Sequence, residues 1–470
     1  MNDLCTKGAG ELAALIRTRK LTSAEVVDAH LARIAEVNAT VNAVTTTLAE
    51  TARAAAAGVD RAVTAGTPLG PLAGVPFTIK ENIDVAGSAT TWGVAQLAGQ
   101  LAAEDAPVVA RLREAGAIPL ARTNLPDFAF RWDTESGRAG RTKNPWDPTR
   151  TAGGSSGGES VALITGMTPL GLGNDLGGSL RIPAQMCGIA SLRPTQGRVA
   201  DAACTEPMVP PSSIQVINSQ GPMARRIADL RIAFELLSAP DARDPRWVPA
   251  PLQGPPLKRP IRVAVLRNPG GAGIDPHVRA GIDRAATWLA DAGYDVVDVE
   301  PPMLAEAAAI WFDIVGADLA GLWPMVQEFG GPGYEFMNNL FKKGAMKFTD
   351  QKAQATAWMA RHRVGAAWSK FAADHPILLS PVCCERAWTI GDDLTRIEEL
   401  GLAMRMVVAV NALGLPACGV PVGADGGLPQ GVQLIGARFR EDLLLDAAQA
   451  IEDRAPRLGP IDPRSTRAAG

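Results

Sequence analysis

Histidine is scarce in this chain: the 470 residues include only His30, His277, His362 and His375. Three of these fall in segments with helical patterning and none lies beside a glycine-serine motif, so a Ser-His-Asp arrangement has little support. Cysteine is also sparse. Cys5, Cys187, Cys204, Cys383, Cys384 and Cys418 form no CxxC pair and no regular framework, which argues against zinc and against a disulfide scaffold and points to a reduced, cytoplasmic setting. The 46 basic and 49 acidic residues, net charge -3, include no long block of one sign, which argues against nucleic acid or an anionic membrane as partner. There is no basic region followed by an apolar run near Met1, and no run of about 18 uncharged apolar residues. A soluble protein acting on small neutral molecules is the expectation. Aromatics are 5% of the chain, yet ten of them are Trp, several late in the sequence, where they fill a core or line an apolar pocket.

At 47% hydrophobic content the chain has ample material for a large core, in one domain or two. Thr22 opens a T-x-x-E capping box with Glu25. Val26, Val27, His30, Leu31 and Ile34 follow at helical spacing, which makes His30 a structural histidine. With an alanine-rich helix at 48–65, residues 1–66 read as an N-terminal helical layer. From Pro68 short apolar runs alternate with Gly and Pro. Residues 75–79 read as a buried strand ending at Lys80, 107–115 as a helix and 117–121 as the next strand. This βαβ-like unit implies a sheet covered on both faces, and thus an α/β fold built on a large mixed β-sheet with α-helices on either side. Further strands are expected at 261–266, 295–299, 377–382, 417–422 and 431–435, and helices at 227–237 and 276–292. Residues 300–375 read as mainly helical, with Trp311, Phe312, Trp323, Phe336, Met337 and Phe341 as core or as an apolar wall.

The stretch 153–194, GGSSGGESVALITGMTPLGLGNDLGGSLRIPAQMCGIASLRP, is the most unusual in the chain. A flexible Gly/Ser linker is excluded because the residues between its two serine motifs are apolar enough to be buried. A phosphate-cradling loop would end in GK[ST], whereas Glu159 and Ser160 follow here. Acyl transfer remains: a serine attacks a carbonyl while Leu176, Gly177 and Gly178, just ahead of Ser179, supply backbone N–H groups to the oxyanion. No GxSxG elbow surrounds Ser179. With no histidine near the motif, a lysine base is the physical alternative, and to work it has to be made neutral by burial. Lys80, ending the apolar run VPFTI, has that setting; an ordinary ammonium paired with Glu81 is the competing reading of the same position.

VPFTIKEN, RTNLPDF, GRTKNPWD, GGSSGGE, GLGNDLGGSLRIPA, CGIASLRPTQGR, GPMAR, GLPACGVPVG and GVQLIG together resemble the amidase signature hydrolases, over about residues 10–455. The resemblance implies a Ser-cisSer-Lys unit: Ser179 the nucleophile, Ser155 a bridging serine on a cis peptide, and Lys80 the base. It places Ser156, Asp175 and Arg181 around the site as residues that hold its loops, and it requires no cofactor and no metal. Residues 67–470 would then be the amidase catalytic domain, its signature core at about 70–225 and its substrate-pocket segment at about 300–375, forming one compact unit with 1–66. Asn174, Arg193 and Arg122 depart from the family's usual Thr or Ser, Lys, and Lys. The implied activity is hydrolysis of the C–N bond of small, largely apolar or aryl amides, with carbamates and esters as further candidate substrates. FRWDTESGRAGRTKNPWDPTR resembles a subgroup of aryl acylamidase-like enzymes and urethanases. A homodimer is compatible with the family. The alternative within it is a glutamine-dependent amidotransferase subunit that works in a complex.

Overall fold

The computed structural model describes residues 1–202, 210–344 and 350–464; Cys204 and Met346 lie outside them. Thr22 starts the helix Ser23–Val41 with both halves of the capping box: its hydroxyl accepts from Glu25 N at 3.1 Å, and the Glu25 carboxylate accepts from Thr22 N at 2.8 Å. The stripe Val26, Val27, His30, Leu31 and Ile34 is buried, and His30 Nδ1 lies 2.8 Å from the Val26 carbonyl. The helix Ala49–Ala65 follows, but between the two helices the chain also lays down a short strand, β1, Val44–Thr47. Its threonines carry no hydrophobic alternation, which is why periodicity alone does not reveal it.

Twelve further strands follow: β2 Pro76–Lys80, β3 Ile118–Thr123, β4 Glu135–Ser136, β5 Gly140–Arg141, β6 Leu170–Asn174, β7 Ala190–Arg193, β8 Gln220–Ala224, β9 Arg262–Val265, β10 Asp295–Asp298, β11 Ile377–Ser380, β12 Ala417–Asp425 and β13 Leu428–Gly436. β4 and β5 form a two-stranded ribbon, and the other eleven build one mixed sheet in the order β1-β3-β2-β6-β8-β7-β12-β13-β11-β9-β10. β3, β2 and β6 run parallel, as do β11, β9 and β10, while the centre of the sheet is antiparallel.

Successive side chains of a strand point to opposite faces, and β2 uses this to separate core from chemistry. Phe77 and Ile79 pack into the core beneath one face, together with Leu12, Val109, Leu230, Phe234, Ile282 and Leu444. Thr78 and Lys80 point to the other face, under the helix Gly157–Ile164 that leads out of the serine motif. On that second face a distinct apolar cluster joins Trp132, Trp311, Phe336, Met337 and Val407. The helix Leu304–Phe329 is long and apolar enough by length and composition to cross a membrane. It packs against the helices Gln351–Asp374 and Arg405–Leu413, and Ile310, Trp311, Ile314 and Leu319 are buried there.

Candidate active site

Lys80 is fully buried at the end of β2. Its amine donates to Ser155 Oγ at 2.7 Å and to Asn174 Oδ1 at 2.8 Å. Neither partner carries charge. Burial pushes the Lys80 amine down to about 7, against the pull of Asp175 and Glu159, which favour its protonated form. The competing reading, an ammonium paired with Glu81, is not what forms. Glu81 pairs with Arg138 and accepts nothing from Lys80.

Beneath Lys80 lies Glu159, also fully buried. Its carboxyl accepts from Thr78 Oγ1 and, at 2.6 Å, from Thr123 Oγ1, one hydroxyl from each of the parallel strands β2 and β3. Burial raises this acid to about 7 in spite of the two hydroxyls and the Lys80 and Arg122 charges. The close approach depends on Gly171 of β6, where a β-carbon would lie 2.0 Å from Glu159 Oε1.

The serine motif sits between these strands and the loop at 131–134. The Gly154-Ser155 peptide is cis, as the resemblance implied. Gly153 has φ of 76°, and a β-carbon there would come within 2.7 Å of Pro183 Cα. The Gly153 carbonyl accepts from Thr134 Oγ1 at 2.8 Å, and Thr134 Oγ1 accepts from Gly157 N at 3.1 Å, so one threonine closes the loop on both sides of the serines. Ser156 is buried; its amide donates to the Ser179 carbonyl at 3.3 Å, tying the two serine motifs together.

Asp175 organises the second motif. Its Oδ1 accepts from Gly178 N at 2.8 Å, Arg181 Nη2 at 3.1 Å and Asn411 Nδ2 at 2.7 Å; its Oδ2 accepts from Arg181 Nε at 2.9 Å and Leu180 N at 3.3 Å. Arg193 lies 3.7 Å from the same carboxyl and donates to the Asp175 carbonyl. Burial alone would raise this acid, but Arg181 and Arg193 hold it well below the usual carboxylate range. Of the three expected oxyanion donors, Gly178 is thus already engaged. Among the described residues the amides of Leu176, Gly177 and Ser179 have no acceptor.

Ser155 and Ser179 line one cavity together with Asn82, Asn174, Leu176, Trp92, Phe128, Phe130, Ile214, Leu322 and Met325. A second, apolar recess meets Ser179 from the other side and is walled by Phe130, Trp132, Trp311, Phe312, Phe336 and Met337. The late bulky residues therefore serve as core and wall at once. Cys383 and Cys384 are buried, and burial lifts both thiols, Cys384 to about 11, which fits packing rather than reactivity.

The structure thus gathers Lys80, Ser155, Ser156, Asp175, Leu176, Gly177, Gly178, Ser179 and Arg181 in one place. Sequence reasoning overlooked Asn174 as the second acceptor for Lys80, Glu159 as the acid below it, and the indoles of Trp132 and Trp311 against the loop before Ser179. Asn174 had a signal in its position directly before Asp175; Glu159 and Trp132 had none beyond their proximity to the motifs, and Trp311 lies far from them in sequence.

Residues 25–445 match the Amidase family. The chain is 41% identical over 457 residues to the indoleacetamide hydrolase of Bradyrhizobium diazoefficiens, covering 95% of this chain and 86% of that protein. It is 33% identical over 489 residues to a glutamyl-tRNA(Gln) amidotransferase subunit from Acidothermus cellulolyticus, covering 96% of this chain and 95% of that protein. Among solved structures, a 6-aminohexanoate cyclic dimer hydrolase superimposes with a TM-score of 0.84 at 27% identity, covering 99% of this chain and all of the other. With the family matched across nearly the whole chain and a hydrolase relative of this similarity, the chain belongs to the amidase signature family and is an amide C–N hydrolase.

Proposed function

We propose that this amidase acts on small amides with an apolar or aryl group, through an acyl-enzyme on Ser179, with Ser155 as proton relay and Lys80 as base. The observation that carries the proposal is the Lys80 amine: fully buried, bonded to Ser155 Oγ at 2.7 Å, and pushed by burial to about 7, where a lysine accepts a proton near neutral pH. In this reading Ser179 Oγ attacks the carbonyl carbon as its proton passes to Ser155 and the Ser155 proton to Lys80. Collapse of the tetrahedral intermediate breaks the C–N bond, and the nitrogen leaves with the proton returned through Ser155. Water activated by the same relay then releases the acid and restores the serine.

The aromatic recess beside Ser179 supports an apolar substrate, and the indole group in the name of the 41% identical relative is of that kind. Aryl carbamates and esters present the same electrophilic carbonyl and belong to the proposal as further substrates. A glutamine-dependent amidotransferase subunit is less favoured, because its relatives are more distant and the recess is aromatic rather than shaped for an amino acid. A reducing, cytoplasmic setting accompanies the proposal, in keeping with the buried free thiols of Cys5, Cys187, Cys383, Cys384 and Cys418.

Two measurements test this reading. A fluorophosphonate should label Ser179, and mass spectrometry that finds the label on another residue overturns the assignment. Hydrolysis rates on an anilide, a primary amide, an ester and an aryl carbamate of one scaffold rank the substrates; a chain that cleaves none of them without added partner proteins favours the amidotransferase alternative.

A further inference from the structure

In the loop before Ser179 two tryptophans from distant parts of the chain hold consecutive carbonyls. Trp311 Nε1, on the helix Leu304–Phe329, donates to the Leu176 carbonyl at 2.8 Å, and Trp132 Nε1, in the loop after β3, donates to the Gly177 carbonyl at 3.0 Å. We propose that Trp132 and Trp311 are positioning residues for the oxyanion: their indole N–H groups fix the peptides on either side of Gly177 and so aim the Gly177 amide at the substrate's carbonyl oxygen. The proposal rests on the reading of Ser179 as nucleophile.

Both peptides are trans, so each N–H points opposite to the carbonyl of the same peptide. With the Leu176 carbonyl drawn to Trp311, the Gly177 N–H faces away from that ring. With the Gly177 carbonyl drawn to Trp132, the Gly178 N–H faces the other way and is taken by Asp175 Oδ1 at 2.8 Å. The Gly177 amide is left without an acceptor among the described residues, in a loop that borders Ser179. A donor for a developing negative charge works best when it is already in place, yet glycine is the residue least able to fix its own peptides. The restraint has to come from outside, and the indoles supply it.

The indoles are themselves clamped. Their ring centroids lie 6.4 Å apart, Phe336 meets Trp132 edge-on at 6.3 Å, and Phe312 meets Trp311 edge-on at 5.0 Å. A β-carbon at Gly177 would lie 2.6 Å from Trp311 Cζ2, so glycine is what lets the ring come close enough to bond. These rings also wall the apolar recess, so a substrate group seated there touches the same rings that aim the amide. A buried indole N–H bonds a carbonyl wherever it finds one; here two of them take neighbouring carbonyls of the loop that precedes Ser179.

The test compares Trp311→Phe and Trp132→Phe with the wild type. Each variant keeps an aromatic ring and loses the N–H. The substrates are an acetyl anilide, whose acyl group is too short to fill the recess, and a phenylacetyl anilide, and the labelling rate of Ser179 by a short-chain fluorophosphonate is followed in parallel. The expected result is a fall in kcat of about 10- to 100-fold on both anilides, KM within about threefold, and a comparable slowing of labelling. Rings that only wall the recess would raise KM for the phenylacetyl substrate and leave the acetyl kcat and the labelling rate within twofold; that result in both variants overturns the proposal. Thermal melting checks folding, and where one variant fails to fold the other alone decides the comparison. Labelling of the wild type at a residue other than Ser179 brings down the underlying reading instead, before any variant is made.

Discussion

Lys80 and Asp175 are both fully buried and both titratable, and the protein treats them in opposite ways. Asp175 is surrounded by opposite charge and by N–H donors: Arg181 in bidentate contact, Arg193 at 3.7 Å, Asn411, and the amides of Gly178 and Leu180. The carboxylate is held ionised, and the loop before Ser179 is folded around it. Lys80 bonds only to neutral acceptors, Ser155 and Asn174, and burial outweighs the nearby Asp175 and Glu159 charges to drive its amine down to about 7. A buried charge with paired counterions is a structural anchor. A buried group denied one gives up its proton near neutral pH, which is what a general base needs.

The contrast is broken most severely at Lys80. Lys80→Met removes the proposed base without adding charge, and kcat should fall by about 10³-fold or more at every pH. Turnover near the wild-type level at any pH takes lysine out of the mechanism. The same variant gives a second reading through stability. In the folded wild type the amine titrates at about 7, below its unfolded value of 10.5, so between these pH values the unfolded chain binds more protons and wild-type stability rises with pH. Below about 7 that gain is absent. Denaturation curves should therefore show a stability difference between variant and wild type that changes in favour of the wild type from pH 7 to 10, and a constant difference would place the Lys80 amine in an ordinary environment.

At Asp175 the expected damage is to folding. Asp175→Ala leaves Arg181 and Arg193 buried without their carboxylate, and the loss of stability should be about 3–5 kcal/mol in a urea titration, with activity lost as a consequence. A variant with near-wild-type stability would mean that Asn411, Gln433 and the surrounding carbonyls, which also accept from these guanidinium groups, are enough to hold them.

The two halves of the contrast were not equally legible. The strand ending in Lys80 was visible because VPFTI is an uninterrupted buried run, and the helices 227–237 and 276–292 and the strand at 295–299 fall within a residue of Ile227–Leu237, Pro276–Asp291 and Asp295–Asp298. The neighbours that define the lysine's surroundings were hidden. β6, LGLGN, carries Asn174 yet alternates with glycine, and β8, QGPMA, holds both Gly and Pro; neither looks like a strand until flanking strands supply its hydrogen bonds. Glu159 follows a glycine pair at the start of a helix, where an acidic residue is the ordinary choice for the helix dipole, and nothing local says that Thr78 and Thr123 will close over it. Trp132 and Trp311 are 179 positions apart, and only the folded chain shows that their indoles meet neighbouring carbonyls.

The finest test lies between the two extremes, at Glu159. This acid faces Lys80 from the helix Gly157–Ile164, while Asp175 acts on the amine from beyond β6, Arg122 reaches the Lys80 carbonyl from β3, and Ser155 and Asn174 hold the amine itself. When ionised, Glu159 raises the lysine and keeps it protonated to higher pH. Glu159→Gln keeps the size and an acceptor for one of the two threonine hydroxyls but removes the charge. In the wild type kcat/KM should rise with pH and level off above about 7, where the amine is neutral. In the variant the rise should come at lower pH, by up to about one unit, with the plateau reduced no more than several-fold. An unchanged profile would show that Glu159 is already protonated across the working range and that Thr78 and Thr123 hold a neutral acid. A shift to higher pH would contradict the sign of the Glu159 charge on Lys80, and with it the account of Lys80 as a buried amine made neutral by its surroundings.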